Sequence, residues 1–180
     1  MNEAGIVRRI DDLGRIVIPK EIRNTLRIRE GDSLQITVDE SKTIKLVKYE
    51  PMSVLIKNAR MCVELLGDMT NFSVCITDRE NIVAKSKNIS AEIIGKKISE
   101  NLREKIEDRI NWSTKNSIPI LLLEDEDKKI YTSQLVVPIV TNADVIGCVV
   151  IFSTSAAYRV GENEEKIANK IAKVLANELD

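Results

Sequence analysis

The segment Gly5–Asp32 carries the side chains best suited to binding a polyanion. It contains seven basic residues, six of them arginines, against five acidic ones. The basic residues are Arg8, Arg9, Arg15, Lys20, Arg23, Arg27 and Arg29. A guanidinium group is planar and always charged, and its paired donors match phosphate oxygens and the acceptor edge of guanine. The chemistry predicted here is binding to a nucleic-acid backbone with some reading of base edges.

The charge is distributed unevenly along the chain of 180 residues. Residues 1–29 hold seven basic and four acidic residues, a net charge of +3, while the whole chain has −1 and the remainder therefore −4. A nearly neutral protein attracts nucleic acid only through a local patch. The N-terminal segment is therefore the predicted nucleic-acid surface.

The rest of the composition excludes several other classes of protein. There is no histidine, and the three cysteines, Cys62, Cys75 and Cys148, lie far apart in apolar runs. Histidine is the commonest general base and metal ligand, and no cysteine pair has CxxC spacing. We predict no enzyme activity, no metal and no cofactor, with buried thiols in a reducing cytoplasm. No apolar run is long enough to cross a bilayer, and no hydrophobic signal core is present.

Short strands and one helix must position the arginines. Ile6–Ile10 and Arg15–Ile18 are predicted strands, joined by a turn at Asp11–Gly14. Pro19 then opens a short helix, because the first turn needs no backbone donor there. Ile22 and Leu26 form the predicted buried side of this helix.

Two further strands complete a β-β-α-β-β order. Leu34–Val38 and Thr43–Val47 alternate between apolar and polar residues. A unit of about fifty residues buries only about 60% of its unfolded surface and is marginal alone. With no disulfide or metal available, we predict that a second chain completes the core. A dimer would also give the arginines the twofold symmetry of a palindromic DNA site.

The sequence GIVRRIDDLGRIVIPKEIRNTLRIREGD resembles the AbrB-type swapped-hairpin DNA-binding domain. Gly14–Pro19, together with Arg15 and Arg23, looks like the core of that motif. The resemblance implies an α+β chain in which two protomers interlace their hairpins into one β-barrel-like dimer on double-stranded DNA. It further implies that the DNA contacts are Arg8, Arg9, Arg15 and Arg23.

The roles of the neighbouring residues stay open. Position 24, often basic in the family, is Asn24 here, and Lys20 is an even alternative between contact and solvent. Arg27 and Arg29 suit either DNA contact or pairing with nearby acids. Arg8 and Arg9 are adjacent on a strand and point to opposite faces, so one of them could serve Asp11 or Asp12.

A helix is predicted over about residues 53–66. Five apolar residues recur there at spacings of three and four, the pattern of a coiled-coil seam. They are Met52, Leu55, Ala59, Cys62 and Leu66. Ile56 and Val63 lie on a second apolar side, so we predict that the seam meets a partner helix. The alternative is an amphipathic helix that covers its own sheet.

The remaining residues alternate between strands and helices. Apolar runs predict strands, and the spacing of Ile98, Leu102, Ile106 and Ile110 predicts a helix. The predicted strands are 72–77, 82–85, 118–123, 130–140 and 145–152, with an acidic turn at 124–129. A last helix starts near Glu162 with the apolar stripe Ile167, Ile171, Leu175 and Leu179.

An antiparallel sheet flanked by helices resembles a GAF domain. No cyclic-nucleotide signature or Gly-rich phosphate loop marks a ligand, and Trp112 alone is weak support for a pocket. An assembly role and a sensor role with an unknown small molecule both stay open. The predicted domains are 1–50 for DNA binding and 51–180, with the linker helix, for sensing or oligomerisation.

The combination of domains resembles AbrB-type sporulation regulators that carry a C-terminal GAF domain. The resemblance implies a cytoplasmic tetramer, assembled through linker helices and GAF domains, that activates and represses late sporulation genes in the forespore. An antitoxin-like module is the alternative function, since the same hairpin fold also binds toxins. Antitoxins usually continue into a disordered tail, and the periodic C-terminal half disfavours that alternative. A GAF-type enzyme is disfavoured by the missing histidine.

Overall fold

The computed structural model describes residues 5–49, 51–115, 117–126, 130–141 and 144–179. The chain divides into two compact units, Met1–Tyr49 and Glu50–Asp180. Residues 127–129 of the predicted acidic turn lie outside the described residues.

The first unit contains helix α1, Lys20–Thr25, and the strands β1, Leu34–Val38, and β2, Ile44–Lys48. The strands pair antiparallel, from Leu34 opposite Lys48 to Val38 opposite Ile44. Both strands were predicted from their alternating pattern, and the second is shifted by one residue. Their apolar side chains remain mostly exposed.

The two strands predicted before α1 are wrong for the single chain. Neither Ile6–Ile10 nor Arg15–Ile18 pairs with another described residue in a β-ladder. The turn between them does form, with the Gly14 N–H donating to Asp11 O at 3.0 Å and Gly14 at φ +75°. β-Branched residues favour extended backbone, but a strand also needs a partner for its N–H and C=O groups.

The buried side predicted for α1 is also wrong. Ile22 and Leu26 are exposed, whereas Pro19 and Ile28, at the two ends of the helix, are buried. A six-residue helix buries a side only against another element. In this chain no described strand packs over Ile22 and Leu26.

The second unit is built on a five-stranded antiparallel sheet in the order β4-β3-β7-β6-β5. Its strands are β3, Ser73–Thr77; β4, Ile82–Lys85; β5, Trp112–Ser113; β6, Ser133–Val140; and β7, Val145–Ser153. The central strand β7 is buried throughout. At Gly147 a Cβ atom would lie 1.9 Å from Thr77 O, so the close approach of β3 and β7 requires glycine there.

Helices cover both faces of this sheet. Helices α2, Pro51–Met69, and α4, Glu162–Asn177, pack on one face, and α3, Glu100–Glu107, packs on the other with a 3₁₀ turn at Ala91–Ile93. Alternate strand residues separate into two cores. Val74, Ile76, Val149 and Ile151 face α2 and α4, while Cys75, Cys148 and Val150 face α3.

The predicted coiled-coil seam on α2 is wrong. Met52, Leu55, Ala59 and Leu66 are buried in the core of their own unit, and Val63 joins them. Cys62 is half-buried. The alternative, an amphipathic helix over its own sheet, is therefore the correct one. A different row, Met61, Leu65 and Met69, is exposed.

Two details of the second unit also differ from expectation. Residues 118–123 form no strand of the sheet. Their backbone bonds to side chains and to Ser99, the residue before α3, and Leu123 makes an isolated bridge with Ile98. The side-chain amide of Gln134 bonds both the N–H and the C=O of Ile120, each at 2.8 Å. On α4, Ala168, Ala172, Leu175 and Ala176 are buried, with Ile167 and Ile171 at the margin. Small alanines let the helix approach the sheet closely.

Candidate nucleic-acid interface

The four arginines predicted to contact DNA are all exposed and all lie in the first unit. Arg8 and Arg9 lie in the unpaired N-terminal segment, Arg15 follows the turn, and Arg23 is on α1. The side chains of Arg8, Arg9 and Arg23 bond to no other described residue in this structure. Their charges are therefore available to a ligand from solution.

Asp11 orients Arg15. One carboxylate oxygen, Oδ1, accepts the N–H of Leu13 at 3.1 Å and that of Arg15 at 2.8 Å. The other, Oδ2, pairs with Arg15 Nε at 2.8 Å. The Arg15 backbone N–H, followed by its side chain, lowers the pKa of Asp11. Arg15 Nε is thus held within the turn, and its two terminal nitrogens remain for phosphate or base contacts.

Sequence reasoning missed this role for Asp11. It treated Asp11 as a partner for Arg8 or Arg9, whereas the structure pairs it with Arg15. The signal was present in the segment Asp11–Arg15, since an aspartate at the start of a tight turn commonly bonds the N–H groups that follow it.

The backbone fixes Arg23 at both of its ends. Its N–H donates to Pro19 O at 2.9 Å, and its C=O accepts the N–H of Ile28 at 2.8 Å. The second bond closes α1 in the geometry usually completed by glycine, with Arg27 at φ 54° in the left-handed region. The buried Ile28 anchors this end of the helix.

The residues whose contact with DNA the sequence did not decide lie on or near the same helix. Lys20, Asn24 and Arg27 are exposed. Asp32 is engaged locally, accepting the Arg29 N–H at 2.8 Å and pairing with Lys48 Nζ at 3.3 Å. Whether Lys20, Asn24, Arg27 and Arg29 touch DNA stays a prediction.

The first unit also exposes a large apolar surface. Fourteen residues of this unit contribute: Ile6, Val7, Ile10, Leu13, Ile16, Val17, Ile22, Leu26, Ile36, Val38, Ile44, Leu46, Val47 and Tyr49. Soluble monomers rarely expose contiguous apolar surface of this kind without an interaction partner.

Other chemistries find little support in the described residues. No cluster of three His, Cys, Asp or Glu residues there could hold a metal ion. Within the same part of the chain, no helix has the length and apolar content to cross a membrane. Cys75 and Cys148 are buried, as predicted. Burial raises the pKa of Cys148 to about 12, and burial also raises the pKa of Cys75 well above its ordinary value.

The comparison with known families decides the relationship of this chain. Residues 55–180 match the family described as stage V sporulation protein T (SpoVT) C-terminal, transcription factor. The chain belongs to the SpoVT family. Residues 7–53 also match the family described as antidote-toxin recognition MazE, bacterial antitoxin.

Relatives and solved structures agree with this assignment. Stage V sporulation protein T of Bacillus subtilis (strain 168) is 44% identical over 182 residues, covering 100% of this chain and 99% of the relative. The transition state regulatory protein AbrB of the same organism is 37% identical over 95 residues, covering 52% of this chain and 90% of the relative. The GAF domain of a phosphoenolpyruvate-protein phosphotransferase from Coxiella burnetii matches at TM-score 0.54 and 20% identity, covering 69% of this chain and 82% of that chain.

These findings establish the general character of this SpoVT-family chain. It is a DNA-binding transcription factor of sporulation, not an enzyme. Its fold joins an AbrB-like N-terminal unit to a C-terminal unit of the GAF type.

Proposed function

We propose that the protein binds promoter DNA as an interlaced dimer, through Arg8, Arg9, Arg15 and Arg23 of each protomer. The observation that carries this proposal is the set of exposed arginines on the unit that matches AbrB, with Arg15 oriented by Asp11. Residues 1–50 form the DNA-binding domain in this proposal. Residues 51–180 form the assembly domain.

The exposed apolar surface of the first unit supports the dimer. Ile36 of β1 is 66% exposed, and Val7 and Val17 in the unpaired segment are exposed still more. Interlacing two chains would bury these side chains and supply partners for the backbone of residues 5–19. Each large apolar side chain so buried stabilises the dimer by about 1.5–3 kcal/mol.

The exposed row on α2 supports assembly of dimers into a tetramer. Met61, Leu65 and Met69 are spaced four residues apart and therefore lie on one side of the helix. Packing between copies would cover this row. Two DNA-binding dimers on one scaffold would then bind paired sites with increased avidity.

Membership of the family supports a proposal for the cellular role. The protein activates some late sporulation genes and represses others, in the cytoplasm of the forespore. The GAF-type unit supports one further role, the binding of a small molecule that alters assembly or DNA affinity.

Salt dependence of DNA binding tests the arginine set. Eight arginines per dimer predict a slope of log K against log salt of about −7 for AT-rich duplex DNA. Arg15→Ala removes two contacts per dimer, so the slope should become less steep by about 2, and affinity should fall at least tenfold at low salt. Fluorescence anisotropy with the full chain measures both. The matched control, Arg60→Ala, changes an exposed arginine of α2 and should leave both unchanged.

Two outcomes would count against this function. Unchanged affinity and salt slope in Arg15→Ala would remove the site assignment. Copurification with a small endonuclease, without promoter binding, would favour the antitoxin-like function, which the match of residues 7–53 to the MazE family also supports.

A further inference from the structure

Arg103 is a cation of the second unit with donors left unpaired. It lies on α3, its side chain is 17% exposed, and Nη1 pairs with Glu100 Oε2 at 2.7 Å. Its other two nitrogens, Nε and Nη2, are buried and bond to no described residue. These two nitrogens form one edge of the guanidinium group, the edge that binds both oxygens of a carboxylate.

An unpaired edge of this kind is costly inside a protein. Buried donors of a charged group cost free energy unless an acceptor satisfies them. Two other arginines of the same unit have partners, since Arg79 and Arg109 both pair with Asp144 at 3.3 and 2.8 Å. Arg103 therefore differs from its neighbours in having two buried donors without an acceptor.

The position of Arg103 on α3 shows which part of the unit it adjoins. Ser99 lies one turn earlier, and residues four apart share a side of a helix. The Ser99 N–H donates to Leu122 O at 2.8 Å, and its Oγ donates to Leu121 O at 2.6 Å. Arg103 is therefore on the side of α3 that faces the segment 119–123.

Glu126, which follows that segment, is already engaged within the unit. Glu126 Oε2 accepts the N–H groups of Leu122 and Leu123, each at 3.0 Å, and the Tyr131 hydroxyl at 2.7 Å. Two apolar side chains of that segment, Leu122 and the partly buried Ile120, pack in the core under α3. An acceptor for Arg103 is therefore best supplied from outside the chain, by a molecule with an acidic head and an apolar body.

We propose that the Nε–Nη2 edge of Arg103 binds the carboxylate of a small organic acid that enters between α3 and residues 119–122. This proposal rests on the ligand-binding role suggested above for the second unit, and it names the chemical class of the ligand. It does not depend on the DNA contacts, which all lie in the first unit.

The test compares butyrate with its neutral isostere, butyramide, and with inorganic phosphate. Isothermal titration and thermal unfolding are measured on the full chain. Butyrate should bind the wild type and raise its unfolding temperature, whereas butyramide and phosphate should not. Arg103→Met should weaken butyrate binding by about 30-fold or more, because one partner of a buried charged pair is lost.

Further variants separate recognition from folding. Arg103→Lys keeps the charge but loses the paired N–H donors that bind a carboxylate in a bidentate way, so it should also weaken butyrate binding. The control Arg60→Met should bind butyrate as the wild type does. Arg103→Met without ligand should be at least as stable as the wild type, since it removes unpaired buried donors.

Equal butyrate affinity in Arg103→Met would overturn the proposal, as would preference for phosphate or failure of the wild type to bind butyrate. A lower unfolding temperature of Arg103→Met, with no butyrate binding by the wild type, would assign Arg103 a purely structural role. DNA anisotropy on the same variants is expected to match the wild type without butyrate. A failure of the ligand proposal for Arg103 can therefore be distinguished from a failure of the DNA-binding proposal.

Discussion

The two units use similar apolar strand residues with opposite results. Ile36 in β1 is 66% exposed, whereas Ile76 in β3 is fully buried. Both strands have β-branched residues on an antiparallel hairpin. The difference lies in what covers them, because helix α2 packs on β3 and no described helix packs on β1. The second unit therefore forms its own hydrophobic core, whereas the first unit leaves its apolar strand residues exposed.

A charge placed on β1 should have the largest effect and tests this comparison directly. If dimerisation buries Ile36, Ile36→Glu should destabilise the first unit by roughly 3–5 kcal/mol, the cost of an unpaired buried charge. Chemical denaturation and sedimentation measure stability and dimer content. The matched control is Ile118→Glu in the second unit, at a residue that is 81% exposed, and it should stay within about 0.5 kcal/mol. Equal effects in the two variants would contradict the difference between the units.

The close approach of β3 and β7 in the second unit should give the next largest effect on stability. Gly147→Ala should destabilise the protein by at least about 2 kcal/mol, because the new Cβ would overlap Thr77 O and part β7 from β3. Thermal unfolding of the full chain measures this. Gly161→Ala, where the nearest atom is the flexible Glu164 carboxylate at 3.3 Å, is the control and should cost less than about 1 kcal/mol. A tolerated Gly147→Ala would mean that the sheet is less closely packed than described.

The end of α1 provides a smaller effect of opposite sign. Arg27 has a left-handed φ of 54°, which glycine adopts without strain. Arg27→Gly should therefore stabilise the first unit by about 0.5–1 kcal/mol in urea unfolding. Leu26→Gly, at an ordinary negative φ, should destabilise it by comparison. If Arg27→Gly also weakens DNA binding, its side chain contributes to the interface.

The smallest effect is a pH dependence in the first unit. The Arg15 hydrogen bonds lower the pKa of Asp11 in the folded state, so its stabilising contribution is present above the ordinary aspartate pKa of about 3.9. It is lost as pH falls through the lowered folded value. Asp11→Asn should therefore be less stable than the wild type at neutral pH, and the difference should close in acid. A pH series of urea unfolding curves measures this, and a constant difference would contradict the charge-based explanation.

Much of the fold was accessible from local pattern. β1 and β4 match their predicted limits because alternation and flanking turn residues are local signals. The start of α4 was equally clear, since Glu162 and its acidic neighbours suit a helix N-terminus. The segment 118–123 was not, because an apolar run does not reveal that Gln134 bonds Ile120. The prediction that the seam on α2 contacts a partner helix failed for a related reason. The spacing of its apolar residues is the same whether they pack on a partner helix or on a sheet of the same chain.

The candidate site divides in the same way. The arginines themselves, their exposure and the turn before Arg15 were all predictable from residue types and a glycine. The pairing of Asp11 with Arg15, rather than with Arg8 or Arg9, depended on the conformation of the turn. The unpaired edge of Arg103 gave no sequence signal, because it depends on which acids fail to reach it.

The amino-acid sequence alone determined where the positive charge lies along the chain. It also determined the spacing of apolar residues in each helix and strand. Both are properties of residue types and of neighbours along the chain. Only the tertiary structure decided which apolar sides are covered, which carboxylate orients Arg15 and which buried donors lack an acceptor. Those outcomes depend on which groups the fold brings into contact, and the local sequence pattern does not determine these contacts.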